Sequence, residues 1–291
     1  MTLPNTEYFA PESIEEAVKL LTEKGDGAHI LAGGTDLLVK MNHGLLKPKN
    51  IIGLKSIKGL KDIYFNKDTG LTIGATALLV EVASHEMIKK HYPAVAYAAN
   101  ETANTQIRNM GTVAGNLCNA APSADNAPTL IAMEAEVNMV GIEGERRLPL
   151  GQFFKGPGLT AMKPGEIMTS IVVPFPSKGS GASYKHISAR GKVDISAVCV
   201  GAVVKMEGKE CKDVKIVLGA VAPTPIRAVE AEAVLKGKKW TENAVKEAGV
   251  KASVESRPIS DVRSNAEYRK KMVSVLTSRA LIEAHERAMK K

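Results

Sequence analysis

Residues 32–37 read Ala32-Gly33-Gly34-Thr35-Asp36-Leu37, and a second glycine-containing segment, Thr112-Val113-Ala114-Gly115-Asn116, lies further along the chain. Each segment follows an apolar stretch and carries few Cβ atoms. Glycine lets main-chain N–H groups approach a ligand closely and adopt left-handed dihedral angles. Successive N–H groups in such turns form concavities that bind anions. Two turns of this kind can hold a diphosphate from two sides, so the pair predicts a dinucleotide cofactor.

Neither segment fits a single-loop nucleotide signature. The chain has no G-x-G-x-x-G after its first expected strand, and it has no G-x-x-x-x-G-K-[ST]. A Rossmann or P-loop fold is therefore disfavoured. Taken alone, each segment is equally well described as a tight turn between a strand and a helix.

Composition narrows the classes of protein. With 291 residues and 44% hydrophobic residues, the chain is long enough for two or three globular domains. The net charge of +8 comes from basic residues that interleave with acidic ones, which favours a solvated surface and no nucleic-acid partner. The chain has no apolar run of about 18 residues, so no membrane span is predicted. The first ten residues do not resemble a secretory signal.

Cysteine and histidine usage indicates the compartment. The three cysteines, Cys118, Cys199 and Cys211, are scattered and include no C-x-x-C pair. This pattern favours a reducing, cytoplasmic location over a disulfide framework. The six histidines have no metal-ligand spacing, so no metal site is expected.

Apolar periodicity divides the chain into two parts. Residues 12–24 predict a helix, with Ser13 and Glu16 as a capping box. Strands at 29–32 and 50–54 complete a small α/β unit over the first 55 residues. Pro174, Pro176 and residues 178–181 mark the clearest boundary. Further strands are expected at 71–75, 195–205 and 214–221, partly strand-like chain at 129–140, and helices at 76–84, 93–103, 227–235, 241–250 and 266–289.

Five segments together resemble a known family. Residues 32–37, 106–116, 122–125, 165–168 and 258–269 have the order and spacing of the flavin-binding medium subunit of the molybdenum hydroxylases. That family includes xanthine dehydrogenase, aerobic carbon monoxide dehydrogenase and nicotinate dehydrogenase. The resemblance covers nearly the whole chain.

The resemblance implies an α+β fold. It places a two-part FAD-binding region, of the vanillyl-alcohol-oxidase/PCMH type, at residues 1–176, with subdomains at about 1–55 and 56–176. A smaller α/β flavoprotein C-terminal domain follows at residues 177–291.

The resemblance also implies which residues contact FAD. Residues 32–37 would hold the diphosphate, with Leu37 near the isoalloxazine ring; Asp36 alone fits a helix cap as well. Ala114 stands where the family usually carries glycine. Residues 189–194 resemble a loop that lies beside the flavin in some relatives. The implied cofactor-binding residues are Ala32, Gly33, Gly34, Thr35, Asp36, Leu37, Thr112, Ala114, Gly115, Asn116, Asn119, Asp125, Met168 and Lys185.

Three of these residues also have an ordinary structural interpretation. Asp125 suits a loop acid or a helix cap before Pro128, Met168 suits the core, and Lys185 suits the surface. No side chain is required as nucleophile or general acid, because flavin carries the redox chemistry.

The implied function is electron transfer within a complex. A molybdopterin large subunit would oxidise the substrate, a [2Fe–2S] small subunit would pass electrons to the FAD, and NAD or another acceptor would receive them. A dimer of heterotrimers or a similar assembly is expected. A stand-alone FAD-dependent oxidoreductase of related fold is the alternative, and a basic nucleic-acid-binding protein is disfavoured because clustered basic residues and interleaved aromatics are lacking.

Overall fold

The computed structural model describes residues 5–191 and 194–290 and has a mixed α+β fold, which confirms the predicted class. The helices are α1 (Ile14–Lys24), α2 (Leu37–Asn42), α3 (Leu79–Ser84), α4 (Glu86–His91), α5 (Pro93–Glu101), α6 (Thr105–Arg108), α7 (Val113–Cys118), α8 (Asn126–Ala132), α9 (Val229–Leu235), α10 (Glu242–Glu255) and α11 (Ala266–Met289). The strands are β1 (Glu7–Phe9), β2 (Ala28–Leu31), β3 (Asn50–Gly53), β4 (Ile63–Asn66), β5 (Gly70–Gly74), β6 (Glu136–Gly141), β7 (Gly144–Pro149), β8 (Phe154–Gly156), β9 (Leu159–Thr160), β10 (Ile167–Val173), β11 (Ser180–Ser188), β12 (Ser196–Glu207), β13 (Glu210–Gly219), β14 (Ile226–Arg227) and β15 (Lys238–Lys239).

The first unit is a three-stranded parallel sheet in the order β1-β3-β2, with α1 packed on it. α1 begins after Ser13, whose hydroxyl accepts the N–H of Glu16 at 3.1 Å. The Glu16 carboxylate accepts the N–H of Glu12 rather than that of Ser13, so only half of the expected capping box forms. The segment after β2 lies at the carboxyl end of the sheet, where ligands commonly bind in α/β structures.

The second unit is a five-stranded antiparallel sheet in the order β4-β5-β10-β6-β7. One face of this sheet packs on the helices α3, α5, α7 and α8. Ile73, Val137 and Met139 from the strands and Tyr92 and Leu117 beside the helices are fully buried there. All the helices from α3 to α8 lie between β5 and β6 in the chain, and α7 carries the second glycine segment.

The C-terminal unit is an antiparallel sheet in the order β11-β12-β13-β14, with β15 paired to β13. The helices α10 and α11 cover one face, where Val204, Ile216 and Leu281 are buried together. α11 approaches β11 so closely that a Cβ at Gly181 would overlap the carbonyl oxygen of Ala284.

Two expectations from the sequence are wrong at the level of elements, and a third, for residues 129–140, holds only in part. Residues 113–118 form the helix α7 rather than a turn. Residues 129–140 contain the end of α8, a reversal at Glu134 with φ of +58°, and then β6. Every residue of α8 is buried, so the sequence shows no polar face from which a helical period could be read. Arg227 lies in β14, and α9 begins only at Val229.

The C-terminal sheet packs its other face on α8. Pro128 of α8 lies in a hollow between Gly201 of β12 and Gly219 of β13. A Cβ at Gly201 would lie 2.5 Å from the carbonyl carbon of Pro128, and one at Gly219 would lie 2.8 Å from its Cγ. Both glycines are therefore required by close packing between the two parts of the chain.

We expect Gly201→Ala to force β12 away from α8. Overpacking of this kind costs about 1–3 kcal/mol, which corresponds to a Tm lower by about 3–10 °C. Thermal unfolding followed by circular dichroism measures the shift. Gly27→Ala is the matched control, because the nearest atom to its Cβ would be 3.7 Å away. A Gly201→Ala protein that melts with the wild type would contradict this account of the contact.

A partly buried ion pair between Asp261 and Arg269 fixes the segment between α10 and α11. The Asp261 carboxylate accepts the N–H of Arg263 at 2.8 Å and a guanidinium N–H of Arg269 at 2.5 Å. Arg269 is 3% exposed and also donates to the carbonyl of Ala220 at 3.0 Å. Burial raises the pKa of Asp261, but the backbone hydrogen bond from Arg263 and the charge of Arg269 outweigh it and hold this pKa at about 2.

This low pKa makes the stability of the fold depend on pH in the acid range. The folded value of about 2 lies below the unfolded aspartate value of about 3.9, so the carboxylate stabilises the fold fully above about pH 4 and loses that effect as pH falls towards about 2. Asp261→Asn should lower Tm at neutral pH, and its difference from wild type should shrink between about pH 4 and about pH 2. Asp68→Asn, on an exposed turn, serves as the control in the same melting series. A difference that stays constant across this range would contradict the assignment.

Within residues 5–191 and 194–290, no helix is long and apolar enough to cross a bilayer.

Candidate functional site

A cavity of about 640 Å³ lies where the three units meet. This volume is in the usual range for cofactor sites. All the predicted cofactor-binding residues line it, with the exception of Lys185. Those lining residues are Ala32, Gly33, Gly34, Thr35, Asp36, Leu37, Thr112, Ala114, Gly115, Asn116, Asn119, Asp125 and Met168.

The first arm of the cavity is residues 32–37, between β2 and α2. Gly34 has φ of +75°, which favours glycine. Gly33 is needed for a different reason: its Cβ would overlap the carbonyl oxygen of Met110 and lie 2.8 Å from the Cα of Gly111. Gly33 thus allows the first arm to pack directly on the chain that leads into the second.

The backbone donors of the first arm are free. Within residues 5–191 and 194–290, no hydrogen bond uses the N–H groups of Gly33, Gly34, Thr35 or Asp36. Backbone N–H groups require a partner when a ligand displaces water from them. Consecutive free donors beside a left-handed glycine form a concavity suited to an anion.

Asp36 precedes α2 but does not cap it. Its backbone is helical, with φ of −99° and ψ of −44°, and its carboxylate makes no capping hydrogen bond. A capping side chain needs an extended backbone at that position. The helix-cap interpretation of Asp36 is therefore wrong, and the carboxylate lies at the cavity wall.

The second arm is the start of α7. The Thr112 hydroxyl accepts the N–H of Gly115 at 2.9 Å, so this N–H is satisfied within the helix. The N–H of Ala114 is a first-turn donor that helix geometry leaves open. Ala114 is 3% exposed and sits in helical backbone, which explains how alanine fits in place of the family's usual glycine.

A lysine that was not predicted links the two arms. Lys40 of α2 donates from Nζ to Oδ1 of Asn119 at 2.7 Å, and its side chain lines the cavity. Lys40 lies one helical turn after Leu37, so the period of α2 could have indicated it. His29 of β2 also lines the cavity; burial, and then the charge of Lys40, lowers its pKa.

Asn116 is held by a polar network under the cavity. Asn126 donates from Nδ2 to Oδ1 of Asn116 and to the hydroxyl of Thr102, each at 3.1 Å. The Thr102 hydroxyl in turn donates to the carbonyl of Ala98 at 2.8 Å. Because Oδ1 of Asn116 is occupied, its amide NH₂ group is the end left to donate to a ligand.

Asp125 forms part of the wall shared with the C-terminal unit. Its Oδ1 accepts the hydroxyl of Tyr184 at 2.6 Å and the hydroxyl of Ser196 at 2.5 Å. Burial raises the pKa of Asp125, and the hydrogen bonds from Ser196 and Tyr184 oppose this shift. Neither hydroxyl contacts Oδ2, which leaves that oxygen for a ligand in the cavity.

The two remaining predicted residues differ in placement. Met168 of β10 is 3% exposed and belongs to both the core and the cavity lining, so the core interpretation is confirmed and flavin contact stays a prediction. Lys185 points away from the cavity and pairs with Glu283 of α11 at 2.7 Å. Side chains alternate along β11, so Tyr184 faces Asp125 while Lys185 faces α11. The structure does not bring Lys185 to the site.

Asp194, the last residue of the predicted loop at 189–194, borders the same cavity. Lys192 and Val193 of this predicted loop lie outside the described residues. Arg190 pairs with Asp194 at 3.0 Å, and Asp194 and Ile195 line the cavity.

The arrangement suits a large, anionic and partly aromatic ligand. Free backbone donors and Lys40 can bind a diphosphate. Apolar side chains such as Leu37, Met162 and Ile195 can cover a flat ring system. The part of the chain that the structure describes holds no cluster of His, Cys, Asp or Glu side chains that could bind a metal.

Two family models match this chain. Residues 4–176 match the FAD-binding domain in molybdopterin dehydrogenase, and residues 182–284 match the carbon monoxide dehydrogenase flavoprotein C-terminal domain. The chain belongs to the FAD-binding medium subunits of the molybdenum hydroxylases. The family resemblance stated from the sequence is therefore confirmed, and this medium subunit contains an FAD-binding domain.

Curated relatives and solved structures agree with this membership. The chain is 33% identical to the glyceraldehyde dehydrogenase medium chain of Sulfolobus acidocaldarius over 96% of this chain and 98% of the relative. It is 34% identical to the carbon monoxide dehydrogenase medium chain of Afipia carboxidovorans over 97% of each. A solved carbon monoxide dehydrogenase from Hydrogenophaga pseudoflava, which lacks the Mo-pyranopterin moiety of its molybdenum cofactor, superposes with a TM-score of 0.95, 34% identity and 99% of both chains covered.

We expect Gly33→Ala to weaken FAD binding by about tenfold or more, or about 1.4 kcal/mol. The added methyl would overlap the Met110 carbonyl and displace the free donors of the first arm. FAD absorbance per protein after gel filtration, with circular dichroism for folding, gives the measurement. Gly151→Ala is the control, because its Cβ would meet Ile131 at an ordinary 3.6 Å. A folded Gly33→Ala protein with full FAD content would contradict this role.

Proposed function

We propose that this medium subunit holds FAD in the cavity between its three units and carries electrons from a [2Fe–2S] subunit to NAD or another acceptor. The observation that supports this most is the row of free N–H donors at residues 33–36, beside a left-handed glycine and the Lys40 ammonium. When bound there, FAD would supply the redox chemistry, since flavins accept and donate electrons. The protein supplies binding, orientation and a defined polar environment.

We assign the cofactor contacts by chemistry. The first arm and Lys40 would bind the diphosphate through N–H and ammonium donors. The Asn116 amide and Oδ2 of Asp125 would orient polar edges of the cofactor. Leu37 and Met168 would pack on its flat apolar part. Lys185 is not included, because its ammonium is engaged by Glu283.

The partners follow from the same proposal. Relatives are called medium chains or medium subunits of carbon monoxide dehydrogenase and nicotine 6-hydroxylase, which are names of components within larger enzymes. We propose a [2Fe–2S] small subunit and a molybdopterin large subunit as partners, in a dimer of heterotrimers. The cysteines of this chain are suited to packing: burial raises the pKa of Cys118 to about 12 and that of Cys199 well above its usual value.

We also propose the division into an FAD-binding region at residues 1–176 and a C-terminal domain at residues 177–291. The prolines at 174 and 176 and the extents of the two family models support this boundary. A stand-alone flavin oxidoreductase remains the rival function, and it predicts substrate turnover by this chain alone.

The purified chain is expected to bind one FAD noncovalently, because the cavity offers donors for a diphosphate and the proposal requires no covalent link. Acid or heat denaturation should release a yellow supernatant that contains FAD. A colourless chain that takes up no added FAD would refute the proposal.

A second experiment tests assembly with the proposed partner subunits. The chain alone should lack substrate hydroxylation, and co-expression with the iron–sulfur and molybdopterin subunits should give a heteromeric complex whose substrate reduces the flavin. Native mass measurement and flavin absorbance report both effects. A homo-oligomer of this chain that oxidises an organic substrate would favour the rival.

A further inference from the structure

A line of polar side chains runs from the cavity wall into the C-terminal sheet and back to α5. Asp125 accepts the hydroxyl of Ser196 at 2.5 Å. The Ser196 oxygen lies 3.1 Å from Nδ1 of His186, and Nε2 of His186 lies 3.2 Å from Oε2 of Glu101. Each distance is within hydrogen-bonding range, so the four groups form one continuous chain.

The two ends of this hydrogen-bonded series, Asp125 and Glu101, lie in different surroundings. Asp125 lines the cavity, and its Oδ2 is left open by both hydroxyl donors. At the other end, the Glu101 side chain is 10% exposed, and the exposed Asn100 lies 3.5 Å from its Oε1. Between them, Ser196 is 1% exposed and the His186 side chain 12%. The hydrogen-bonded series therefore joins the cavity to the protein surface through two largely buried side chains, Ser196 and His186.

The hydrogen bonds fix where the protons lie. The Ser196 hydroxyl donates to Asp125, so its oxygen must accept from Nδ1–H of His186. Nε2 then faces the Glu101 carboxyl group, and one proton must lie between these two atoms. Either Glu101 is protonated beside a neutral imidazole, or the carboxylate faces an imidazolium. In both cases every link carries a movable proton.

We propose that Glu101, His186, Ser196 and Asp125 are a proton relay between solvent and the cofactor cavity, a role that rests on FAD binding there. The electron-transfer function by itself does not specify how protons reach the cavity.

The relay balances without a further reactant. The relay starts with Asp125 protonated at Oδ2 and with Glu101 protonated beside a neutral imidazole. As a group in the cavity takes the proton from Oδ2 of Asp125, Ser196 gives its hydroxyl proton to Oδ1. His186 gives the Nδ1 proton to Ser196 and receives one at Nε2 from Glu101, which regains a proton from hydronium or a buffer acid in the solvent. One proton enters the cavity, and His186 changes tautomer. When flavin is reoxidised the same steps run backwards, so the original tautomer returns without rotation of the ring.

The other titratable groups around the relay do not take part in proton transfer. Tyr184 also donates to Asp125, and its ring stacks 5.7 Å from that of His186. Burial raises its pKa well above the usual value, as it does for the neighbouring Cys199 thiol. Tyr97 lies 6.3 Å from Tyr184, and burial, then Glu101 and Glu283, raise its pKa. These groups stay protonated, so Tyr184 is a positioning residue for Asp125.

The test follows protons and flavin colour at the same time. The full chain with bound FAD is photoreduced without oxygen and mixed with ferricyanide, which accepts electrons but no protons, in weak buffer with a pH-indicator dye. In wild type, proton release and flavin oxidation should coincide. In His186→Gln, which keeps hydrogen bonding but does not titrate, proton release should be about tenfold slower or more.

Matched variants separate a relay from a structural clamp. Ser196→Ala should delay proton release, whereas Ser196→Thr keeps the hydroxyl and should restore it. Imidazole added to His186→Ala should also restore it, which a clamp between the two units would not show. His285→Gln is the control, since His285 stacks on Trp240 at 4.4 Å in the same domain and lies outside the relay.

Each outcome is decisive. His186→Gln protein that holds FAD and releases protons in step with flavin oxidation overturns the relay alone. A wild-type chain without FAD overturns both the relay and the proposed function. Should His186→Gln fail to fold or to hold FAD, the Ser196 pair decides: a delay only in Ser196→Ala supports the relay, and no delay in either overturns it.

Discussion

Gly33 lies against the backbone of Met110 and Gly111 so closely that no side chain fits between them. This contact joins the parallel sheet of the first unit to the helices of the second. It sets the distance between the free donors of the first arm and the start of α7, and hence the width of the cavity. The Lys40 to Asn119 hydrogen bond spans the same two segments from the other side. The geometry of the site depends on two backbones touching rather than on any single side chain.

The cavity wall that is shared with the C-terminal sheet depends on a different contact. Asp125 ends the loop before α8, and its carboxyl oxygen is held by two hydroxyls from β11 and β12. Pro128, three residues later, fills the hollow formed by Gly201 and Gly219. Polar and apolar packing therefore fix the same short stretch of chain on the C-terminal sheet. A displacement of that sheet would move Asp125 and open the cavity.

Much of this could be predicted from the sequence, and the limits have physical causes. The glycine segments, the aliphatic strands and the long helix Ala266–Met289 carry strong local signals that led to the correct class, and the family resemblance named many of the residues that line the cavity. α8 was missed because burial on every side removes the polar face that reveals a helix. Lys185 does not line the cavity, because one residue of register in β11 decides which face it occupies. His29 was overlooked since nothing in its own neighbourhood marks it as facing the cavity, whereas the period of α2 could have indicated Lys40.

The cavity takes its walls from all three units of the fold, and this has a consequence for biosynthesis. Domains generally fold from the N-terminus as the chain leaves the ribosome. The first arm and α7 are available early, but Tyr184 and Ser196, which hold Asp125, belong to the later sheet, and Ile195 of the cavity wall directly precedes β12. A nascent chain that has folded only its first two units offers an open groove. The closed pocket forms late in translation, so the cofactor is captured by a nearly finished polypeptide, and a truncated product has no complete place to keep it.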